Sequence, residues 1–411
     1  MRNIKLTYGG HTFLLVILLA LLLGACNKQE LLTSPSDNAA EKRSFLTPDP
    51  RTGQLNVTQV NLVSDEAEYN ALHLDKDLVN AWGLAFSETG EAWVVSNGKG
   101  LSKIYDQNGN EVLKPVQIPF NGLPSGSAPT GVVYNTTGSF LLRDGQQSKF
   151  IFCSEDGLIS AWGQPFSTTA VTMVDNSKTG AVYKGLAIAR NGGTPYLYAA
   201  DFRNGKIDVF DQAFNPVPMN FIDPNIPANY APFNVVEYRG SLIVTYAMQD
   251  KDREDDVAGA GHGYVSLFGP DGSFLRQLAA GGALNSPWAV VVIDSRTMGN
   301  APSRPDPAIT DFRTNISTSD VPTLGNAVQV LIGNFGDGHI SIYGIDGRYH
   351  GQLMSGGAPL AIEGLWALGF TDNGRQYQFR PYTEPRVPAK LFFTAGVDHE
   401  EHGLFGFIMK N

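Results

Sequence analysis

The sequence predicts an all-β protein, a six-bladed β-propeller whose N-terminal strand closes the last blade. Three observations lead there. A unit of four short strands recurs six times, the last copy stops before its fourth strand, and one spare strand-like segment stands ahead of the first copy. Composition fits a turn-rich β protein: 45 glycines among 411 residues, 42 % hydrophobic and only 17 % charged.

The first strand of each unit is NAWGLAF (80–86), APTGVVY (128–134), VYKGLAI (182–188), APFNVVEY (231–238), SPWAVVVI (286–293) and GLWALGF (364–370). Each opens on an aromatic or proline beside a small residue. A second apolar run follows in every case: EAWVVSN, KFIFCSE, LYAAD, SLIVTYA, VQVLIGN and KLFFTAG. The third strand comes after a Gly-bearing loop, as in VLIGNFGDGHISIY (330–343), and carries an aromatic: Tyr105, Trp162, Phe210, Phe268, Tyr343 and Phe407. A fourth, variable run such as VLKPVQIP or FLRQLA completes the unit. Radial repetition of four-stranded units is the signature of a propeller. Asn, Asp and Gly in the loops are first of all turn residues, since these types tolerate positive φ. No stretch reads as a helix of three turns.

The two ends share one explanation. Residue 411 follows the third strand of unit six, and NVTQVNLVSD (56–65) alternates apolar and polar without belonging to any unit. Pairing this segment with the last blade closes the ring and removes an unpaired edge.

Ahead of the propeller, assigned to 55–411, two further segments are expected. Residues 1–26 combine a basic start, the apolar run TFLLVILLALLL and Leu23-Gly24-Ala25-Cys26, which resembles a bacterial lipobox. Acyl chains on Cys26 would bind a membrane, each buried methylene contributing about 0.8 kcal/mol. Residues 27–54 are polar and aperiodic and read as a flexible tether. These features predict an extracytoplasmic, lipid-anchored protein, at an outer membrane or cell surface, and one that is monomeric. Cys153 lies in an apolar strand, with no internal partner for a disulfide. The formal charge is −10; without Arg2 and Lys5 the rest carries 28 basic against 40 acidic residues, a net of −12. That balance argues against nucleic acid as a partner.

In a propeller, the loops between second and third strands and those between blades open on one face around the channel. That rim is the expected site. Its loops would carry Asn97, Glu155, Asp156, Asp201, Asn204, Asn334, Asp337, Asp398 and Glu400, and the inner strands would add Asn80, Trp82, Lys184, Trp288 and Trp366. Oxygens converging there suit a Ca²⁺-like ion, with Asp337, Asp201, Asn334 and Asp398 as the ligand set. The competing reading is of hairpin turns and of tryptophans that pack blade on blade. DHEEHG (398–403) offers His399 and His402 with Asp398 and Glu401 to zinc, without the fixed spacing a helix would give. KDREDD (251–256) reads as a mobile solvated loop. Residues 294–326 form a long insertion in unit five, on the opposite face. No nucleophile–base pair and no phosphate loop is found.

The strings LVNAWGLAF, AVYKGLA, YAADFRNGKIDVFD, YAPFNV, NSPWAVVV, IGNFGDGHISIYG and EEHGLFG, in this order, resemble a family of uncharacterised secreted bacterial proteins. The resemblance runs over about residues 57–408. It implies an architecture similar to NHL-repeat propellers and, more remotely, to gluconolactonase-like and streptogramin-lyase-like propellers. The family's last motif is more acidic, so His399 and His402 depart from it. Gluconolactonase-like enzymes hold a divalent ion on this rim, but no residue here matches that set position by position. The expectation is a binding module for a glycan, peptide or protein partner, leaning away from an enzyme; the alternative is a metal-dependent, lactonase-like hydrolase or lyase at the channel mouth.

Overall fold

The computed structural model describes residues 56–163, 167–294, 328–371 and 390–410. The expected leader, the tether and, Asp294 apart, the 294–326 insertion lie outside the described residues. Within them the chain forms six antiparallel units in sequence order.

Blade 1 comprises Ala81–Phe86, Ala92–Ser96, Leu101–Tyr105 and Glu111–Gln117. Blade 2 comprises Pro129–Tyr134, Phe150–Ser154, Leu158–Trp162 and Val171–Asp175. Blade 4 runs through Tyr230–Tyr238, Ser241–Met248, Tyr264–Phe268 and Phe274–Ala280. Blade 5 runs through Pro287–Asp294, Val328–Asn334, Ile340–Gly344 and Tyr349–Gln352.

Blade 3 departs from the expected count. It has Tyr183–Asn191, Thr194–Asp201 and Lys206–Phe210, and no fourth strand. The segment that should supply it contains Pro216 and Pro218, which have no N–H to give a ladder. Only Val217, between them, reaches back, from its N–H to Val209 O at 2.8 Å.

Blade 6 holds Leu365–Phe370, Leu391–Val397 and His402–Lys410, and Val57–Ser64 from the start of the chain completes it. The closing pair is antiparallel, with Val57 opposite Lys410 and Ser64 opposite Leu404. Both ends of the chain therefore fulfil the expectation drawn from them. Helical structure among the described residues is confined to short 3-10 turns such as Asn97–Lys99.

The third-strand aromatics Tyr105, Trp162, Phe210, Phe268, Tyr343 and Phe407 are all buried. Each fills the space between neighbouring blades, and burying a ring of phenylalanine size contributes about 1.5–3 kcal/mol. Cys153 is buried and free, and burial pushes its thiol up to about 11, so it is a packing residue.

One local irregularity repeats around the ring and positions the site. In each blade the pairing of the first and second strands slips near the mouth: between Tyr183 and Gly185, Pro232 and Asn234, Pro287 and Ala289, Leu365 and Ala367, with wider slips at Ala81/Leu84 and Phe152/Ser154. A bulge of this kind leaves one residue unpaired and re-aims its side chain. The residues so released include Trp82, Thr130, Lys184, Phe233, Trp288 and Trp366. The residue that follows is Gly or Ala in every blade but the fourth, where it is Asn234; at Gly83 and Gly185 the next blade presses on it. A Cβ added to Gly185 would fall on the Asn234 side chain and within 2.7 Å of its Cα.

Candidate functional site

Four of the bulge residues, Trp82, Phe233, Trp288 and Trp366, pack together as a floor, and Phe335 joins them. Trp82 and Trp366 stack with ring centroids 3.5 Å apart and planes 14° from parallel, and Phe335 stacks on the other side of Trp366 at 3.9 Å and 18°. Trp288 stands edge-on to both tryptophans, at 6.5 and 6.1 Å. Phe233 tilts against Trp366 at 5.9 Å. These rings come from blades 1, 4, 5 and 6, and the three tryptophans are almost wholly buried, so they close the channel beneath its mouth. Geometry of this kind is favourable beyond the area it buries.

Lys184 is the one charged bulge residue. Its side chain is 2 % exposed, and its ammonium bonds Glu155 Oε1 and, at 3.1 Å, Asp255 Oδ1. The same nitrogen lies 5.1 Å from the centre of the Trp82 ring. Burial works against this charge, but Glu155 and Asp255 overcome it and hold the lysine above its ordinary pKa.

A polar belt runs from here around the rim. Asn97 Nδ2 donates to Glu155 Oε2 at 3.0 Å, Asn80 Nδ2 donates to Asn97 Oδ1 at 3.4 Å, and Trp366 Nε1 donates to Asn80 Oδ1 at 2.9 Å. On the other side Trp288 Nε1 donates to Lys184 O at 2.9 Å, and Asn234 Nδ2 donates to Trp288 O at the same distance. The belt therefore links all six blades. The structure brings together Asn80, Trp82, Asn97, Glu155, Lys184, Trp288 and Trp366.

Two more carboxyl groups face Lys184, from Asp256 and Glu400. Glu400 is pushed up to about 7 by burial, with Lys184 pulling it down and Glu155, Asp255 and Asp256 raising it. Among the described residues its carboxyl has no hydrogen-bond partner. It lies on a turn in which Asp398, His399 and Glu400 all have positive φ, 50°, 54° and 70°. Non-glycine residues rarely adopt this conformation, and strain of this sort gathers at binding and catalytic sites. Burial also raises Asp256 above the ordinary carboxylate range, against Ser286 and Lys184. The Ser286 hydroxyl lies beside this carboxyl and is the donor that favours its ionised form.

The other predicted rim residues serve their own turns. Asp201 is fully buried and accepts from Asn204 Nδ2 at 2.7 Å and from the Val182 amide at 3.2 Å. Asp156 accepts from Ser127 Oγ and the Ala128 amide. Asn334 donates to Ala283 O at 2.8 Å and to Asp337 Oδ1 at 3.1 Å, and Asp337 also takes the His339 amide. Asp398 is exposed. The set offered to a Ca²⁺-like ion is thus not assembled: Asp337, Asp201 and Asp398 form no ligand group among the described residues, and the side chains of Asp201 and Asp337 are engaged in turns. The zinc reading of 398–403 is corrected as well. His402 engages Asp65, just past the closing strand, Nδ1 to Oδ2 2.8 Å, and with Glu66 these bring three potential ligand atoms within 4.8 Å of one another, without His399, Asp398 or Glu401.

Sequence reasoning missed Asp255 and Asp256 by reading KDREDD as a solvated run. The structure folds this run back on Asp250, whose carboxylate accepts the Glu254 amide at 3.0 Å, and pairs Glu254 with Arg203. A signal was present: the run lies between the second and third strands of its unit, the same class of loop that supplied Asn97, Glu155 and Glu400.

Fold and site together define a six-bladed propeller with an aromatic floor and an acidic mouth. The chain belongs to the same family as two proteins of Acanthamoeba polyphaga mimivirus, uncharacterized proteins R648 and L690. It is 31 % identical to R648 over 368 residues, covering 86 % of this chain and 80 % of that one. It is 31 % identical to L690 over 389 residues, covering 91 % of each. These relatives are viral, and the bacterial, secreted origin expected from the motif resemblance finds no support in them. No family model matches the chain. Among solved structures it is similar to a streptogramin B lyase, 10 % identical with a TM-score of 0.46, covering 86 % of this chain and 97 % of that one. It is also similar to a gluconolactonase from Xanthomonas campestris, 11 % identical with a TM-score of 0.45 and the same coverage. The fold rests on the strand pairing above, not on these likenesses.

Proposed function

We propose that the protein is a ligand-binding propeller whose site is the channel mouth, presented at a membrane surface by lipid on Cys26. One observation carries the binding reading. Four carboxyl groups surround Lys184; it neutralises Glu155 and Asp255, while Asp256 and Glu400 are held in a half-buried mouth without a cation. Keeping charges unpaired and desolvated costs stability, so a site that does so is built for something it meets later. A glycan, peptide or protein partner enters from this side. The test is a set of ¹H–¹⁵N spectra of the full-length protein with cationic, neutral polyhydroxylated and anionic fragments. Shifts confined to the surroundings of Asp256 and Glu400, and absent in D256N/E400Q, support the reading. Fragments of every class leaving those signals unmoved would sink it.

A second reading, a hydrolase or lyase at the same mouth, is favoured by Glu400. A carboxyl group near pKa 7 can give or take a proton at neutral pH, as a general acid–base does. Screening lactones and esters tests it: turnover abolished in E400Q and retained in D337A, with a bell-shaped pH profile, would displace pure binding.

Extracytoplasmic location at an outer membrane or cell surface, and a monomeric state, belong to the same proposal. The motif Leu23-Gly24-Ala25-Cys26 motivates it. Mass spectrometry of the protein recovered from cells decides: a chain beginning at a diacylated Cys26, and release from membranes in C26S, are expected. An unmodified cysteine at residue 26 overturns it.

A further inference from the structure

The two ends of the ring meet at a group of side chains that the mouth does not use. Asp65 and Glu66 follow the closing strand, and His402 opens the last strand of the sixth blade. One ligand atom from each lies within 4.8 Å of the other two. Two carboxylates alone would say little. The imidazole changes the chemistry, because it supplies a nitrogen ligand and, when neutral, does not repel a cation. His402 Nδ1 and Asp65 Oδ2 are 2.8 Å apart. A nitrogen and an oxygen that share one ion at a right angle each stand about 2.1 Å from it, and so about 3 Å from one another. Nε2 makes no hydrogen bond among the described residues, so the ring can carry its proton there and turn the Nδ1 lone pair to an ion. Asp65 Oδ1 meanwhile accepts the Gly403 amide at 3.0 Å, the kind of support that holds a ligating carboxylate in place. Glu66 Oε1 meets the Lys76 ammonium, but the lysine side chain is 68 % exposed and the pair is readily exchanged. Negative charge gathers around this group. Burial, then Glu68, Asp398, Asp65 and Glu363, push the Tyr69 hydroxyl up to about 12, and the Tyr69 ring lies 5.9 Å from that of His402.

We propose that Asp65, Glu66 and His402 bind a divalent transition-metal ion of the zinc class, which ties the two ends of the chain together where the ring closes. One imidazole nitrogen with two carboxylate oxygens suits Zn²⁺, Co²⁺ or Mn²⁺. It disfavours Ca²⁺ and Mg²⁺, which take oxygen ligands. Three protein ligands leave a fourth position to water. Glu66 reaches the ion by rotating its side chain, which is 43 % exposed and free to leave Lys76. His402 stands 337 residues beyond Asp65, so an ion held between them stabilises the closed ring over the open one. The inference stands apart from the reading of the mouth, since it uses none of the residues that surround Lys184.

The experiment strips the full-length protein with EDTA, dialyses it and titrates it calorimetrically with ZnCl₂ and CaCl₂. One zinc ion per chain is expected, bound about a hundredfold more tightly than calcium. Zinc should also raise the melting temperature by several degrees over the EDTA-treated protein. Co²⁺ in its place should give the visible absorption of a site that contains nitrogen. H402A should weaken zinc binding about a hundredfold and E66Q about tenfold, while H399A leaves it unchanged. Glu66 is at the surface, so E66Q should melt like wild type without metal and report on the ligand, not on the fold. No zinc binding at millimolar concentration would overturn the proposal. So would equal affinities for zinc and calcium, or wild-type affinity for zinc in both H402A and E66Q. Binding lost in D256N/E400Q but kept in H402A would move the ion to the mouth, and this inference would fall while the binding site there stood.

Discussion

Trp366 of the last blade donates its indole N–H to Asn80 Oδ1, 2.9 Å away, across the seam where the ring closes on the first blade. The same seam carries the Thr394 hydroxyl on the carbonyl of Trp82. Asn80 has a φ of 47°, a conformation that asparagine tolerates better than other residues with a side chain. Its substitution therefore removes a buried hydrogen bond and adds backbone strain. Asn80→Ala should cost about 2–4 kcal/mol. Asn80→Gly, which keeps the backbone conformation free of strain, should cost less. Denaturant midpoints of the two variants check this, and equal losses would assign the whole effect to the hydrogen bond.

Glu400 should give the protein a falling stability curve in acid to neutral solution. Its carboxyl group titrates near 4.5 when unfolded and about 7 when folded, so the folded state holds its proton longer. Stability then decreases as pH rises from about 4.5 through 7, by at most about 3 kcal/mol. Melting temperatures of wild type and E400Q across this window should diverge from each other, the variant lacking this component of the slope. Parallel curves would deny Glu400 its raised pKa.

Lys184 pulls the same carboxyl group down. Lys184→Met should therefore push Glu400 above 7, a change visible in a ¹³C titration of its side chain. The variant also leaves Glu155 without its cation in a partly buried position. It should lose stability, by about 1–3 kcal/mol, less than for a fully buried pair because Asp255 is largely exposed.

His402 should lend the closing strand a contribution of opposite pH sense to that of a paired acid. The Asp65 carboxylate raises its pKa above 6.5, so the bond between them is at full strength below the unfolded value and fades as pH climbs through the folded one. The melting temperatures of wild type and His402→Asn should differ most near pH 6 and converge in alkaline solution. A gap that stays constant would mean that the contact works through packing alone.

Gly185 is expected to be intolerant. An added methyl group there meets the backbone of Asn234 as well as its side chain, so no rotamer change relieves it. Gly185→Ala should destabilise the protein by about 1–3 kcal/mol and disturb Lys184, its neighbour. A variant with wild-type stability would show that the inner strands of blades 3 and 4 can part at little cost.

Most of the architecture was legible because it repeats. The inner strands, the buried third-strand aromatics and the closing segment 56–65 each declared themselves through pattern, and a pattern carried six times outweighs local ambiguity. Blade 3 shows where this fails: Pro216 and Pro218 cancel a strand that repetition alone predicts. The belt from Asn80 to Lys184 was visible as a set of positions, since all lie at the mouth ends of strands. Its chemistry was not. Whether a carboxylate closes a turn, as Asp201 does, or stands unpaired, as Glu400 does, depends on which amides reach it in three dimensions. Asp255 and Asp256 were hidden by composition, because a dense run of charge looks alike whether it is solvated or folded over a buried lysine.

The direction of the closing strand has a consequence for how the ring is held. Val57–Ser64 runs toward the mouth, where Asp65 meets His402, so residue 56 departs from the opposite face. If lipid on Cys26 holds the protein as proposed, the hold reaches the ring at the face opposite the acidic opening. Tension on that lead would be borne along the antiparallel pairing from Val57 to Ser64. The partner strand's last described residue, Lys410, faces the very point where the load enters. Under the proposed anchor the opening would face away from the support, and the load would fall first on the strand that completes the ring.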